Sequence, residues 1–531
     1  MKDTCYIINN KNELGQFIQE LFAQHVESPY TDSPNLTDGA IWLHKALDKI
    51  DLPFTIMVAE SHVDKEFRDS YYMYFSSQHF DVSRFCIRLS FFAGKFTHEN
   101  FLSPDDIADT GRKKNVELIR DAFIGCCTVR PLLNHEIGKT LLKPEIYIAK
   151  DEDIFIRMTK YRIATHGIYL EIKAFPFSTQ DGGTTCCVEN TILTLLDYFS
   201  ANYADYKRAM PSEIARIEQG ISPERVLPKS GTDYYILSRV LTEFGFHPRI
   251  YSDTSKLKER VYHYIESGIP VAVGLNYGEN KVGHSVVCIG HSNKGLDDES
   301  KRAYIKKRIA EKCETKADSS LLYISTAEFC NNFVVMDDGD LPYHVDSLDN
   351  ISNVIVPLHK RMYMDSDEAR GIFEAIQNDD PRFNIQNRLN EKGLGDKYVI
   401  TRMYLITGAN YKMHLLHSSG NGIDYKILID HLPFPHFVWV CEYYLEDDYF
   451  GHHPPLSFSE IVLDGTSHSK KYMNTILMYR SFDVIATRGP EEDGGAIMDL
   501  LNEDTAHYPI IEKQPACFHN LTRVHANMER A

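Results

Sequence analysis

The stretch Gln180-Asp181-Gly182-Gly183-Thr184-Thr185-Cys186-Cys187 runs directly into Val188-Glu189-Asn190-Thr191-Ile192-Leu193-Thr194-Leu195-Leu196-Asp197-Tyr198-Phe199. Its first half is polar and glycine-containing, which predicts a loop. In its second half, apolar residues at 188, 192, 195, 196 and 199 fall on one helical face, which predicts a helix. A cysteine therefore stands at or just before the first helical turn. Backbone N–H groups there lack intrahelical partners, and the positive end of the helix dipole favours a thiolate. Gln180 lies upstream, where its side-chain amide can reach the same spot. A thiol at a helix start with a nearby amide donor is the front half of a cysteine-nucleophile site. Two adjacent cysteines also fit a plain packing role, because cysteine is among the most buried residue types.

Two downstream stretches complete a pattern. Gly283-His284-Ser285-Val286-Val287-Cys288-Ile289 places a histidine at the start of an apolar strand. Phe333-Val334-Val335-Met336 predicts a buried strand that ends in Asp337-Asp338-Gly339-Asp340. Taken singly, such a histidine also suits a structural hydrogen bond, and aspartates before glycine are common turn formers. Taken in order, thiol, imidazole and acid have complementary chemistry. The thiolate attacks an acyl carbon. The imidazole holds the thiol deprotonated and later protonates the leaving group, and the acid fixes the imidazole tautomer. Gln180 and the backbone N–H of the nucleophile would then form an oxyanion hole, whose donors are typically worth about 3 kcal/mol each.

With these residues in view, positions 175 to about 345 resemble a papain-like cysteine peptidase domain of the kind related to bacterial double-glycine (bacteriocin-leader) peptidases. The resemblance rests on Gln180, Ser230-Gly231-Thr232 before a helix, Gly268-Ile269-Pro270-Val271, the His284 strand and Asp337. It covers about a third of the chain, and Phe123–Pro131 with Ile137-Gly138 is similar to a segment preceding such domains in bacterial proteins. The resemblance implies catalytic Cys187, His284, Asp337 and Gln180, with Cys186 as the alternative nucleophile. Cys186 gives the six-position step from glutamine found in papain. Cys187 gives seven and sets Tyr198-Phe199 in register with the bacterial relatives, so Cys187 is preferred. Asp337 is preferred to Asp338 because it directly follows the strand. Val188 departs from the family, which has a small residue after the nucleophile. The implied activity is hydrolysis of a peptide or isopeptide bond in a protein or peptide substrate. The same residues would serve acyl transfer or glutamine deamidation, or persist in an inactive scaffold for protein binding.

The expected fold is α+β. A papain-like core over 175–358, with a helix carrying cysteine, an antiparallel sheet carrying histidine and aspartate, and a charged insertion at 295–329, is flanked by a mixed α/β region over 1–174 and a β-rich region over 359–531. Strands are expected at 54–59, 71–75, 85–92, 123–131, 271–275, 398–406, 425–429, 437–442 and 457–464, and a flexible tail from about 514. Ile137-Gly138-Lys139-Thr140 is no phosphate loop, because Leu133 stands where the partner glycine belongs.

The chain has 531 residues, 43% hydrophobic and 25% charged, which suits a globular protein of several domains. A net charge of −18 without an extended basic patch argues against nucleic-acid binding. The first residues carry no basic and apolar signal segments, and no run of about 18 apolar residues predicts a membrane span. Eleven cysteines without framework spacing point to reduced thiols in a cytoplasm. No cofactor motif is present. His414, His417, His431, His436, His452 and His453 match no ligand spacing, so no metal is expected there.

Overall fold

The computed structural model describes residues 4–25, 37–79, 81–102, 110–148, 152–222, 225–229, 231–277, 282–294, 297–314, 322–379, 381–395, 398–467, 474–488, 497–499, 511–518 and 520–525. They form an α+β structure built on three large sheets in which nearly all strand pairs are antiparallel. None of the described helices is long and apolar enough to cross a membrane.

The first sheet has five strands in chain order: Thr4–Ile8, Phe54–His62, Cys86–Ala93, Phe123–Val129 and Ile137–Leu142. Alternation decides its two faces, as the two-residue period of a strand requires. Ile56 and Val58 point toward helices Lys11–His25 and Asp38–Leu47, with Leu14, Ile18, Leu43 and Leu47 against them. Met57 and Phe92 point the other way, onto Ile119 and the hairpin Thr159–Thr165 with Ile168–Ala174.

The second sheet lies at the centre. Its strand order is His344–Asp346, Asn332–Met336, Val282–Ser292, Val271–Tyr277, Ile351–Val356, Arg249–Tyr251, and every pairing is antiparallel. Asp153–Ile156 pairs with the far end of Val282–Ser292, and Thr522–His525 pairs with Asp153–Ile156. The helix Cys187–Asn202 packs on this sheet. Every residue from Val188 to Phe199 is buried, so the helix is enclosed on all sides instead of being half-buried on one face. A helix so enclosed, with the first region behind it and the sheet before it, has little freedom to move its N-terminus.

The third sheet runs Tyr323–Ser325, Val399–Thr407, Phe437–Tyr444, Ser459–Asp464, Ile476–Ser481, Val484–Arg488, Ile497–Asp499. Its Tyr323–Ser325 edge is parallel to Val399–Thr407 and comes from the charged insertion, whose other main element is the helix Asp298–Glu314. The expected regions are therefore interleaved: residues before 175 and after 511 complete the central sheet, and part of the insertion completes the C-terminal one.

Four expectations are corrected. Residues 71–75 are not a strand: helix Lys65–Met73, capped by Asp64, ends there in a short turn. Residues 425–429 belong to helix Ile423–His431, with Tyr425 and Ile429 fully buried one turn apart. Among the described residues five helices punctuate the C-terminal region, which is mixed instead of β-rich. The described residues after 514 are packed, with Ala516, Cys517 and Val524 buried. Residues 526–531 and Ser230 lie outside the described residues.

Candidate active site

The loop entering the cysteine helix is shaped by one buried carboxylate. Asp181 Oδ1 accepts the backbone N–H groups of Gly183, Thr184 and Thr185 at 3.0, 2.7 and 2.8 Å, and Oδ2 accepts the Thr184 hydroxyl. The Asp181 N–H in turn donates to Thr185 Oγ1 at 3.0 Å. The turn needs glycine at 182, where φ is +69° and a Cβ would meet His135. Arg130, buried in the first region, donates to the carbonyls of His135, Ile137, Thr179 and Gln180 and so fixes the loop's upstream arm.

Cys186 is the N-cap of the helix and Cys187 its first residue. Glu189, two residues further along, turns back to accept the Cys186 N–H at 2.9 Å. The same carboxylate accepts the Thr232 hydroxyl and pairs with Lys229 Nζ at 3.2 Å, while Lys229 also pairs with Glu218. All three charged groups are almost wholly buried. Lys229 and the Thr232 hydroxyl hold Glu189 ionised against the cost of burial. Burial and the Glu189 charge push Glu218 up to about 7. Lys229 and Thr232 are thus docked under the loop that enters the cysteine helix, and the Lys229 N–H closes on Gly183 O at 3.1 Å. Asp233 caps the helix Tyr234–Glu243 that follows.

The two cysteines differ in their surroundings. Burial and the adjacent Glu189 carboxylate push the Cys186 thiol up to about 11. Cys187 is partly buried, and its side chain interacts with the imidazole of His284. His284 stands near the start of strand Val282–Ser292, opposite Leu275, and is half-buried. The strand is tied to the helix one turn along, where Thr191 Oγ1 donates to Ser285 O at 3.2 Å. His284 Nε2 donates to Asp337 Oδ1 at 2.8 Å. Asp337 follows strand Asn332–Met336, as its position in the sequence implied, and its Oδ1 also accepts the Gly339 N–H at 2.8 Å. Trp42 from the first region holds this turn, donating from Nε1 to Asp340 O at 2.8 Å while its ring stacks on Phe177.

Burial by itself would lower His284. The hydrogen bond to Asp337 and the interaction with Cys187, with the charges of Asp337 and Asp338, outweigh it and push the imidazole up to about 10. Burial would raise Asp337, but its bond and attraction to His284 hold it below the ordinary carboxylate range. The result is a strongly basic imidazole beside the Asp337 carboxylate and the Cys187 side chain.

Gln180 stands half-buried in the loop before the helix. Its carbonyl is fixed by Arg130, and the contacts that join Cys187, His284 and Asp337 do not include its side chain. Asp338, passed over in the sequence, is a third group at the imidazole besides Asp337 and Cys187, 3.6 Å from Nε2. The supporting residues Arg130, Asp181, Glu189, Glu218 and Lys229 gave little signal, because their partners are brought together only by the fold. Among the described residues, His284, Asp337 and Asp338 also form the one cluster with ligand atoms close enough, within 4.8 Å, to hold a metal ion. Of the C-terminal histidines, His417 and His431 are bonded to carbonyls of their own helices, Met413 O and Ile427 O. The chain matches no family model and no curated protein.

Proposed function

We propose that this chain is a cysteine hydrolase of papain-like type that cleaves a peptide or isopeptide bond, with Cys187 as nucleophile, His284 as acid and base, and Asp337 as the residue that orients the imidazole. The observation that carries the reading is the imidazole of His284 bonded to the Asp337 carboxylate at 2.8 Å and interacting with the Cys187 side chain at a helix N-terminus. In the proposed reaction the imidazole takes the proton of the thiol, and the thiolate so formed attacks the substrate carbonyl carbon. The developing oxyanion lies near the helix start, where the Cys187 N–H has no intrahelical partner and the Gln180 amide stands in the preceding loop. The imidazolium gives its proton to the leaving amine. The neutral imidazole then takes a proton from water, whose oxygen attacks the thioester and releases the acid.

The test is rapid labelling of the native chain by limiting iodoacetamide near pH 6, with peptide mapping. Ordinary thiols are mostly protonated at that pH, so only an activated one reacts quickly. Fast labelling at Cys187 that disappears in His284→Ala is expected. Peptide substrates found with the active chain should gain water across the scissile bond and survive intact with Cys187→Ala. Equal labelling of wild type and His284→Ala would refute the reading.

A further inference from the structure

The turn after strand Asn332–Met336 presents two carboxylates to one imidazole. Asp337 makes the direct bond. Asp338 Oδ1 is 3.6 Å from the same Nε2, and its side chain is 2% exposed, against 17% for Asp337. Neither Asp338 oxygen makes a hydrogen bond of ordinary geometry. What faces it is the His284 ring from the central strand, the Asp337 carboxylate beside it, and the Asn190 amide from the cysteine helix. Asn190 is itself held by donating to Ser178 O at 2.6 Å. His344 on the next strand acts on Asp337 and is paired with Asp340 at 3.3 Å. A turn of this kind needs no buried second acid, and an isolated buried carboxylate is costly unless a positive group lies near. The only such group facing Asp338 among the described residues is the His284 imidazolium.

We propose that Asp338 is a positioning residue of this site: its buried charge holds the His284 imidazolium, and so extends the pH range over which the thiolate–imidazolium pair exists. The inference rests on the catalytic reading above. Asp337 and Asp338 divide the work. Asp337 aims the ring through a bond at 2.8 Å, whereas Asp338 adds charge without a bond. An opposite charge within about 4–6 Å moves an ionisation by about 1–3 pH units. Asp338 itself is pushed up to about 6 by burial and the neighbouring Asp337, against the attraction of His284. Its contribution therefore appears as pH rises through about 6 and is complete in the neutral range.

Alkylation of Cys187 by iodoacetate in the native chain, followed from pH 5 to 11, tests this. Iodoacetate is an anion and is drawn by the imidazolium, so the alkaline fall in rate reports loss of the His284 proton. Asp338→Asn is expected to move that alkaline limb down by about one pH unit, while the maximal rate stays within about twofold. Asp338→Glu should restore the limb. Asp337→Asn, which removes the aiming bond, should instead lower the maximal rate by about tenfold or more. An Asp338→Asn profile that superimposes on wild type, with Asp337→Asn and His284→Ala both impaired, overturns the role of Asp338 and leaves the catalytic reading standing. A maximal rate that falls equally in both asparagine variants makes Asp338 merely structural and also overturns it. Absence of any fast thiol in the wild type overturns the catalytic reading, and this one with it.

Discussion

Two neighbouring cysteines with the same intrinsic chemistry are separated by what each side chain faces. Cys186 looks at the Glu189 carboxylate, which, with burial, keeps its proton on; Cys187 looks at the imidazole. Cys186→Ser is therefore expected to leave fast labelling near pH 6 within about threefold of wild type, whereas Cys187→Ser abolishes it. Labelling that follows Cys186 would move the nucleophile by one residue. The His284–Asp337 pair makes a separate prediction about stability. His284 is raised, so its favourable contribution is full below about pH 6.5 and is lost as pH rises through about 10. The gap in denaturation midpoint between wild type and Asp337→Asn should be widest near pH 6 and close toward pH 10. A gap that widens with pH would contradict the protonated state assigned to the ring. The residue types and their order were legible in the sequence because helix starts and strand ends leave local signals at Cys187, His284 and Asp337. The pairing of Asp338 was not, because two adjacent acids before a glycine look alike until the turn is built.

The helix Cys187–Asn202 depends on a buried ion cluster at its N-terminus. Lys229 neutralises Glu189 and meets Glu218, and all three are nearly inaccessible to water. Removing the cation leaves two carboxylates buried together, so Lys229→Met should destabilise the chain by roughly 3–5 kcal/mol in chemical denaturation. It should also slow Cys187 labelling, since the Glu189 carboxylate that caps the helix loses its anchor. A variant as stable as wild type would show that the cluster is not held as described. The positions of most central elements were readable because their apolar spacing is unambiguous: Leu237, Val240 and Leu241 on one helix, Val271, Ala272 and Val273 on one strand, and all are buried. The failures have physical causes. Tyr425-Lys426-Ile427-Leu428-Ile429 has strand-like composition, yet only Tyr425 and Ile429 are fully buried, a four-residue period that a five-residue window barely shows. Tyr71–Phe75 misled in the same way, although Asp64 caps the helix, accepting the Phe67 N–H at 2.9 Å. The packed segments after 514 are strands of two and four residues, too short to carry a pattern.

Interleaving of the three regions has a consequence for how the site is kept. Thr522–His525 reaches the central sheet through Asp153–Ile156, so two strands of the sheet that carries His284 come from outside residues 175–358. Tyr323–Ser325 leaves that stretch to join Val399–Thr407. Arg130 and Trp42, from the first region, hold the loop before Cys187 and the turn after Asp337. Arg402, from the third, is bonded through Nε and Nη2 to Glu266 at 2.7 and 2.6 Å and through Nη1 to Glu442 at 3.0 Å, all three groups being buried. Burial would lower Arg402, but the two carboxylates hold its charge, and Arg402 with His291 holds Glu266 down to about 2 against the same cost. A chain cut to 175–358 strands Glu266 with His291 as its remaining partner and uncovers the back of the cysteine helix. Either loss is of the order of the whole stability of an ordinary domain when added to the missing strands. The isolated 175–358 fragment should therefore show no cooperative thermal transition and no fast thiol near pH 6, whereas the full chain shows both. A cooperative melt with labelled Cys187 in the fragment would mean that the central sheet and its helix suffice, and that the flanking regions serve substrate choice instead of upholding the site.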